Sequence, residues 1–481
     1  MAQSILESLK NYAAAPSHAD KLCVIDASSA VTYEKLWSDV QTRASYLSAL
    51  YPPGTCIMIS CTQDAAYVTD VLAVQLAGMI SVPIEAGASD GRINEIREET
   101  QSPLMIRPGR EEFLPEESGE SSASHADLSL PETDQVAEIL FSTGTTGKSK
   151  GIIITHGNNV AIAENISQGV RMKPDNIEII PMPLSHSHGL RTVYANILNG
   201  SSVILIDGVI RTKLFFQLMN QYQATAIDMS PAILNILFKL TKDLIGKYRG
   251  QLDYIELGSA PLLDEDKERL MRLLPESRLY NFYGSTEAGR TCTYDFCHEK
   301  AAPGCIGKPA VNARYIFVDS SRNEIEATRD NPGLIATAGS QNMAGYFHEP
   351  ELTASVCENG YIYTTDLGYC DENGYIYCLG RQDNVINCGG IKISPDEIEA
   401  EVMRCPEIDD CACVPMADPL QGQVPRVYYV VSAEAEDSFD EKAFMRFIRE
   451  RLDANKLPKR VTRIDKIPRA ANGKILRAQL M

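Results

Sequence analysis

From Met1 to Thr100 the apolar positions switch repeatedly between two spacings. Ile5, Leu6 and Leu9 recur at helical intervals, whereas KLCVIDA (Lys21–Ala27) is a short apolar run of strand type. Thr32 stands as an N-cap before a helix with Tyr33, Leu36, Trp37 and Val40 on one face. A strand at GTCIMISC, a helix over Asp64–Ala77, a strand at SVPIEA and a helix at GRINEIREET follow. Strands separated by helices predict βαβ units and a parallel sheet covered on both faces.

Gly109–Gln135 breaks the pattern with an acidic, Ser- and Pro-containing stretch that reads as a surface connection. Strands (AEILFST, GIIITH, SSVILID) and helices (LFFQLMNQYQ and a long AILNILFKLTKDLIGKY) then resume. Near Arg381 the pattern changes again: a strand-like YIYCLG is followed by NVINCGGIKISPDEIEAEVM, then by strands around RVYYVVSA and a helix at EKAFMRFIRERL. That tail is long enough for a small α+β domain. The expected organisation is therefore a large α/β N-terminal domain of layered sheets and helices, residues 1–381, joined by a hinge to a smaller α+β C-terminal domain, residues 384–481.

Composition removes several function classes. The 481 residues carry a net charge of -19, which disfavours a nucleic-acid partner because phosphate neutralisation needs a clustered basic face. The thirteen cysteines include no CxxC pair, so neither a zinc ribbon nor a disulfide framework is expected, and a reducing compartment fits. No signal peptide is legible at the N-terminus, and the most apolar stretch, VLAVQLAGMISVPI, is too short to span a bilayer. A cytoplasmic protein without a membrane span is expected.

The chemistry gathers in six ordered segments. ILFSTGTTGKSKG (Ile139–Gly151) follows a strand with glycines, hydroxyls and lysines, groups that donate to phosphate oxygens. It fails the Walker spacing, since Ser142 stands where the first glycine should be, and a β-type run follows instead of a helix. Further on come LGSAPL, NFYGSTEAG, YTTDLG, GRQDNVINCGGIKISPDEIE and PRAANGKILR. In order and spacing the six resemble the signatures of the acyl-adenylate-forming superfamily: acyl- and aryl-CoA synthetases, adenylation domains and luciferases.

The resemblance implies a role for each matching residue. Thr143, Gly144, Thr145, Thr146, Gly147 and Lys148 match the loop closing over the ATP phosphates. Tyr283 matches the aromatic stacked on adenine, Asn281 the reader of its edge, and Gly258, Ser259, Ala260 and Pro261 the backbone wall behind it. Thr286 would donate to the α-phosphate and Glu287 hold Mg²⁺. Asp366 would accept from the ribose hydroxyls, with Arg381 beside it. Lys474, next to Gly473, would offset the repulsion when a carboxylate meets the α-phosphate. Asp383 matches the hinge and Gly389 and Gly390 the strand flanking the thiol's arm. In PLSHSHG, His186 matches the gate of the carboxylate site, while His188 has no family role. Leu190, Val193, Met229, Ser230 and Gly284 are candidate acyl-pocket positions.

Three positions depart from the family pattern: Thr365 replaces a glycine, Leu334 a glutamate, and Asn387 a lysine of plant aryl-CoA ligases and luciferases. The segment around His186 also lacks the aspartate that pairs a substrate ammonium, which disfavours an amino acid. The resemblance thus implies an ATP- and Mg²⁺-dependent enzyme that makes an acyl-AMP from a carboxylic acid and passes the acyl group to CoA. Loading of a separate acyl carrier protein is the alternative; a non-catalytic nucleotide-binding module and a P-loop ATPase rank below both.

Overall fold

The computed structural model describes residues 2–107, 128–143, 149–382, 384–388, 391–452, 456–469 and 475–481. The predicted early elements form where the apolar spacing placed them. The first helix, Ile5–Ala14, buries Ile5, Leu6 and Leu9. The next, Tyr33–Leu50, is capped by the Thr32 hydroxyl accepting from the Lys35 N–H. Asp64 caps Ala65–Leu76, a helix buried all round except at Ala66. Such a helix belongs inside a large core, and it shares that core with the four helices Ile5–Ala14, Tyr33–Leu50, His156–Gly169 and Ser187–Asn199.

Three sheets organise the described residues. In the six-stranded sheet, Cys56–Ser60 is parallel to Ile80–Ile84 and to Met105–Ile106. Its strands Val136–Thr143 and Ser149–Thr155 are antiparallel to each other, as the β-type run after the phosphate-loop segment required. The fourteen-stranded sheet contains a parallel central run: Leu22–Ile25, Ser202–Leu205, Ile177–Ile180, Ala226–Met229, Tyr254–Leu257 and Arg278–Ser285 are successive neighbours. From Arg278–Ser285 onward the sheet turns antiparallel through Gly289–Asp295. The third, five-stranded sheet is built only from residues after Arg381. Its core of Ile386, Val402, Cys413 and Phe444 is a separate cluster. The large α/β part and smaller α+β part match the expected fold class.

One element differs from expectation. The apolar run Ala232–Tyr248 reads as a single helix, but the α-helix spans Pro231–Thr241 and a 3₁₀ turn Leu244–Tyr248 follows. Lys242, at φ 54°, breaks the helix, and its N–H closes the last turn on the Phe238 carbonyl. All thirteen cysteines are free thiols, in line with the missing CxxC pairs.

A buried histidine gives the N-terminal core a pH signature. His156, 3% exposed, opens the helix His156–Gly169 behind a Thr155 capping box. Burial lowers its imidazole from 6.5 to about 4. The unfolded chain therefore takes up this proton first, so the contribution is full above 6.5 and lost as pH falls through 4. Between pH 7 and pH 5 this group should remove about 2 kcal/mol of stability. Urea unfolding of His156→Gln should show a correspondingly smaller loss over that interval than the unsubstituted protein.

Candidate active site

The candidate site lies at the C-terminal ends of the parallel strands, where open α/β sheets place their crevices. The register sets Met229, Leu257 and Asn281 side by side on three adjacent strands. Just past these ends stand Ser230, which caps the helix Pro231–Thr241, and the Gly258–Pro261 turn. Gly258 is required there by sterics, because a Cβ would meet the Phe282 ring at 2.2 Å. The next residue, Ser259, is exposed and held at φ 70°, a conformation that strains a residue with a side chain.

The strand Arg278–Ser285 and its hairpin partner Gly289–Asp295 supply the second wall. Gly284 is forced by the same logic, since a Cβ would lie 2.1 Å from the Gly289 carbonyl oxygen. Asn281 is buried, and its Oδ1 accepts no hydrogen bond among the described residues. The Tyr283 hydroxyl donates to Asp366 Oδ2. Burial first, and then the Asp366 carboxylate, push the Tyr283 phenol well up, so it keeps its proton as donor. Asp366 pairs in register with Arg381 on the neighbouring strand Ile376–Arg381. Arg381 Nε donates to Thr365 Oγ1 at 3.1 Å, so the residue replacing the family glycine holds the arginine beside the aspartate.

At the hairpin tip the Ser285 hydroxyl accepts from the Ala288 N–H at 3.0 Å, fixing the turn that carries Thr286 and Glu287. Glu287 Oε1 accepts from the Tyr346 hydroxyl at 3.0 Å. Lys150 Nζ lies 5.7 Å from the centroid of the same Tyr346 ring, which links the segment after the phosphate loop to the carboxylate.

Behind the strand ends runs a buried polar layer. Glu178, Asp228 and Glu256 are fully buried. The helix Ser187–Asn199 meets the first two with His188, Thr192 and Asn196, spaced four apart on one face. His188 Nε2 pairs with Asp228 Oδ1 at 2.7 Å, and Thr192 donates to Oδ2 at 2.7 Å. Arg290 pairs with Glu256 and stacks over the Phe282 ring at 3.6 Å. Burial, partly offset by Arg290, raises Glu256 to about 7. Burial, with Glu256 and Asp228 adding to it, pushes Glu178 well up.

The structure therefore gathers Gly258–Pro261, Asn281, Tyr283, Gly284, Thr286, Glu287, Asp366 and Arg381 around the strand ends and hairpin. Thr143 ends its strand, while Gly144–Lys148, Asp383, Gly389, Gly390 and Lys474 lie outside the described residues. His186 is the N-cap of the helix Ser187–Asn199, with Nε2 3.9 Å from Glu85 Oε1. Leu190, Val193 and Met229 have no exposed surface; the first two sit in the helical core and Met229 in the core beneath the strands. In this conformation, then, the acyl-pocket candidates that present surface are Gly284 and, slightly, Ser230. Sequence reasoning missed Tyr346, which carries no motif, noted Thr365 only as a departure from the family glycine, and left His188 without a role.

The sequence model described as "AMP-binding enzyme" matches residues 12–347, and "AMP-binding enzyme C-terminal domain" matches residues 397–474. The chain belongs to the AMP-binding enzyme family. Among curated members, it is 30% identical over 354 residues to the peroxisomal OPC-8:0-CoA ligase 1 of Arabidopsis thaliana; the match covers 72% of this chain and 64% of that ligase. It is 29% identical over 360 residues to a 2-succinylbenzoate–CoA ligase of Bacillus mycoides, covering 72% and 70%. Its fold superposes on ATP-bound MatB from Rhodopseudomonas palustris with a TM-score of 0.86 at 22% identity, over 100% and 98% of the two chains. This AMP-binding enzyme is thus related to proteins named as CoA ligases. No helix among its described residues is long and apolar enough to cross a membrane.

Because the Gly258 position is filled by the Phe282 ring, Gly258→Ala should destabilise this family member by roughly 1–3 kcal/mol through overpacking. A lowered melting temperature with unchanged secondary structure by circular dichroism is the expected reading.

Proposed function

We propose that this AMP-binding enzyme converts a carboxylic acid and ATP into an acyl-adenylate and pyrophosphate, then transfers the acyl group to the thiol of CoA, releasing AMP. The observation that carries this reading is the Tyr283–Asp366–Arg381 cluster, set beside the open acceptor of Asn281 and the Thr286–Glu287 turn. Asp366 offers oxygens to ribose hydroxyls, and Asn281 Oδ1 suits the exocyclic amino group of adenine. The printed names of the relatives, both CoA ligases, support CoA as the acceptor.

Glu287 fits a hard divalent cation in its donor chemistry: it is a half-buried carboxylate with oxygen ligands to offer, held by the Tyr346 hydroxyl. No group of three or more metal-ligating side chains occurs among the described residues. When bound, Mg²⁺ would offset phosphate charge, with Glu287 as its protein ligand.

In the first half-reaction the substrate carboxylate attacks the α-phosphorus and pyrophosphate departs. Thr286 and Lys474 are assigned to the charge that builds on the phosphoryl oxygens, a task for preorganised donors. In the second, the thiolate of CoA attacks the acyl carbon and AMP leaves. Residues 1–381 and 384–481 act as the two bodies, with Asp383 as hinge and Gly389 and Gly390 flanking the thiol's arm.

Mass spectrometry of products from ATP, Mg²⁺, CoA and a panel of carboxylic acids tests the reading. AMP and an acyl-CoA should appear together for one acid class, and Lys474→Ala should lower adenylate formation by orders of magnitude while ATP still binds. Accumulated acyl-AMP without thioester would instead remove CoA as acceptor. For Asp383→Pro, thioester formation should suffer more than adenylation, because a restricted backbone traps one arrangement. Equal loss in both half-reactions would count against alternation of the two bodies.

A further inference from the structure

Ser259 stands out among the residues at the strand ends. It is exposed, yet its backbone sits in the left-handed region at φ 70°, where a glycine would be free of strain. Its side chain is also fixed, with Oγ 2.9 Å from His188 Nδ1. The His188 ring is itself locked: its other nitrogen pairs with Asp228, which is fully buried, and it packs edge-to-face with Phe282, the ring centroids 4.8 Å apart. Phe282 occupies the space left by the missing side chain of Gly258. A fixed chain of contacts thus runs from a buried carboxylate through an imidazole to one exposed hydroxyl, at the mouth of the crevice. The Asp228–His188 pair is too deep to reach a ligand directly, since His188 is 6% exposed and Asp228 0%. Ser259 is the single member of the chain that a ligand can touch.

The geometry points to Ser259, oriented by His188 and Asp228, as a specificity-determining group that hydrogen-bonds a second oxygen function on the carboxylic acid: a keto, hydroxyl or further carboxylate oxygen. This rests on the acid-activating reading above and narrows its substrate class, setting plain hydrocarbon acids apart from oxygenated ones. A site built to bond a polar group disfavours the analogue lacking it, because the bonding capacity that the hydroxyl keeps beyond His188 is covered by the acid and left unused. The Asp228–His188 pair belongs to this function because it holds one rotamer of one hydroxyl at the site; Asp228 and His188 are positioning residues.

Matched pairs of acids of equal chain length test this: pentanoate against 4-oxopentanoate, hexanoate against hexanedioate, and 3-phenylpropanoate against its ring-hydroxylated counterpart. In the unsubstituted enzyme, kcat/KM for acid-dependent pyrophosphate release should favour the oxygenated member of at least one pair by about tenfold or more. Ser259→Ala and Ser259→Gly, the second of which also relieves the backbone strain, should bring that ratio to near one, whatever either substitution does to the rate with both members of a pair. A ratio unmoved in both variants, or a preference for the plain member in every pair, overturns the inference. Absence of pyrophosphate release with every acid would be a failure of the acid-activating reading, and binding then decides separately. Melting temperatures with ATP and each acid should still rise more for an oxygenated member, and lose that difference in Ser259→Gly; equal shifts within every pair overturn the relay.

Discussion

The helix Ser187–Asn199 is the constraint around which the N-terminal part is arranged, because it satisfies buried carboxylates from both large sheets. His188 and Thr192 meet Asp228, and Asn196 meets Glu178, on the fourteen-stranded sheet. Arg191 pairs with Glu138 on the six-stranded sheet, where Asn159 also donates at 2.9 Å. A carboxylate without its partner in such surroundings costs several kcal/mol, so the helix has one rotation and one depth at which the two sheets can be joined. The apolar members of the same helix, Leu190, Val193 and Tyr194, then pack into the N-terminal helical core.

Fixing the helix also fixes the strand ends. Asp228 precedes Met229 by one residue, so the pairing with His188 sets where Ala226–Met229 stops beneath the crevice. The same layer reaches Ser259 and, through Phe282 and Arg290, the strand that carries Asn281 and Tyr283. The candidate site is therefore rigid on this side, as a nucleotide and an acid held for in-line attack require. Its other side depends on residues from the antiparallel extension, Asp366 and Arg381, pulled in by Tyr283 and Thr365.

The C-terminal part uses the same device on a smaller scale. Arg477 reaches Asp396 at 2.6 Å and Glu399 at 3.1 Å, holding the last residues against the helix Pro395–Met403. Burial lifts Glu399 to about 8, with Arg477 opposing it. By contrast, the bridge from Lys239 to Asp409, 2.9 Å long between largely exposed side chains, joins the two parts weakly. Among the described residues, the Arg477 pairs within the C-terminal part are largely buried, whereas the Lys239–Asp409 pair between the parts is exposed.

Much of this was legible in the residues themselves. Helical and strand spacings in the first hundred positions are short-range properties, and caps such as Thr32 and Asp64 act within one turn, so those elements and the α/β class of the large domain followed from sequence, while the antiparallel extension of its fourteen-stranded sheet did not. The motifs named Tyr283, Glu287 and Asp366 because their order along the chain is itself the signal. What the sequence could not state was contact at long range. The break at Lys242 inside an apolar helical run, the burial of Leu190 and Val193, and the Tyr346–Glu287 bond all depend on which surfaces meet. So does the path from Asp228 to Ser259, whose members lie 40 and 71 residues apart from His188. Local chemistry determined the elements and the kind of site; only tertiary packing decided which side chains share it, because burial and pairing are properties of surfaces brought together from distant parts of the chain.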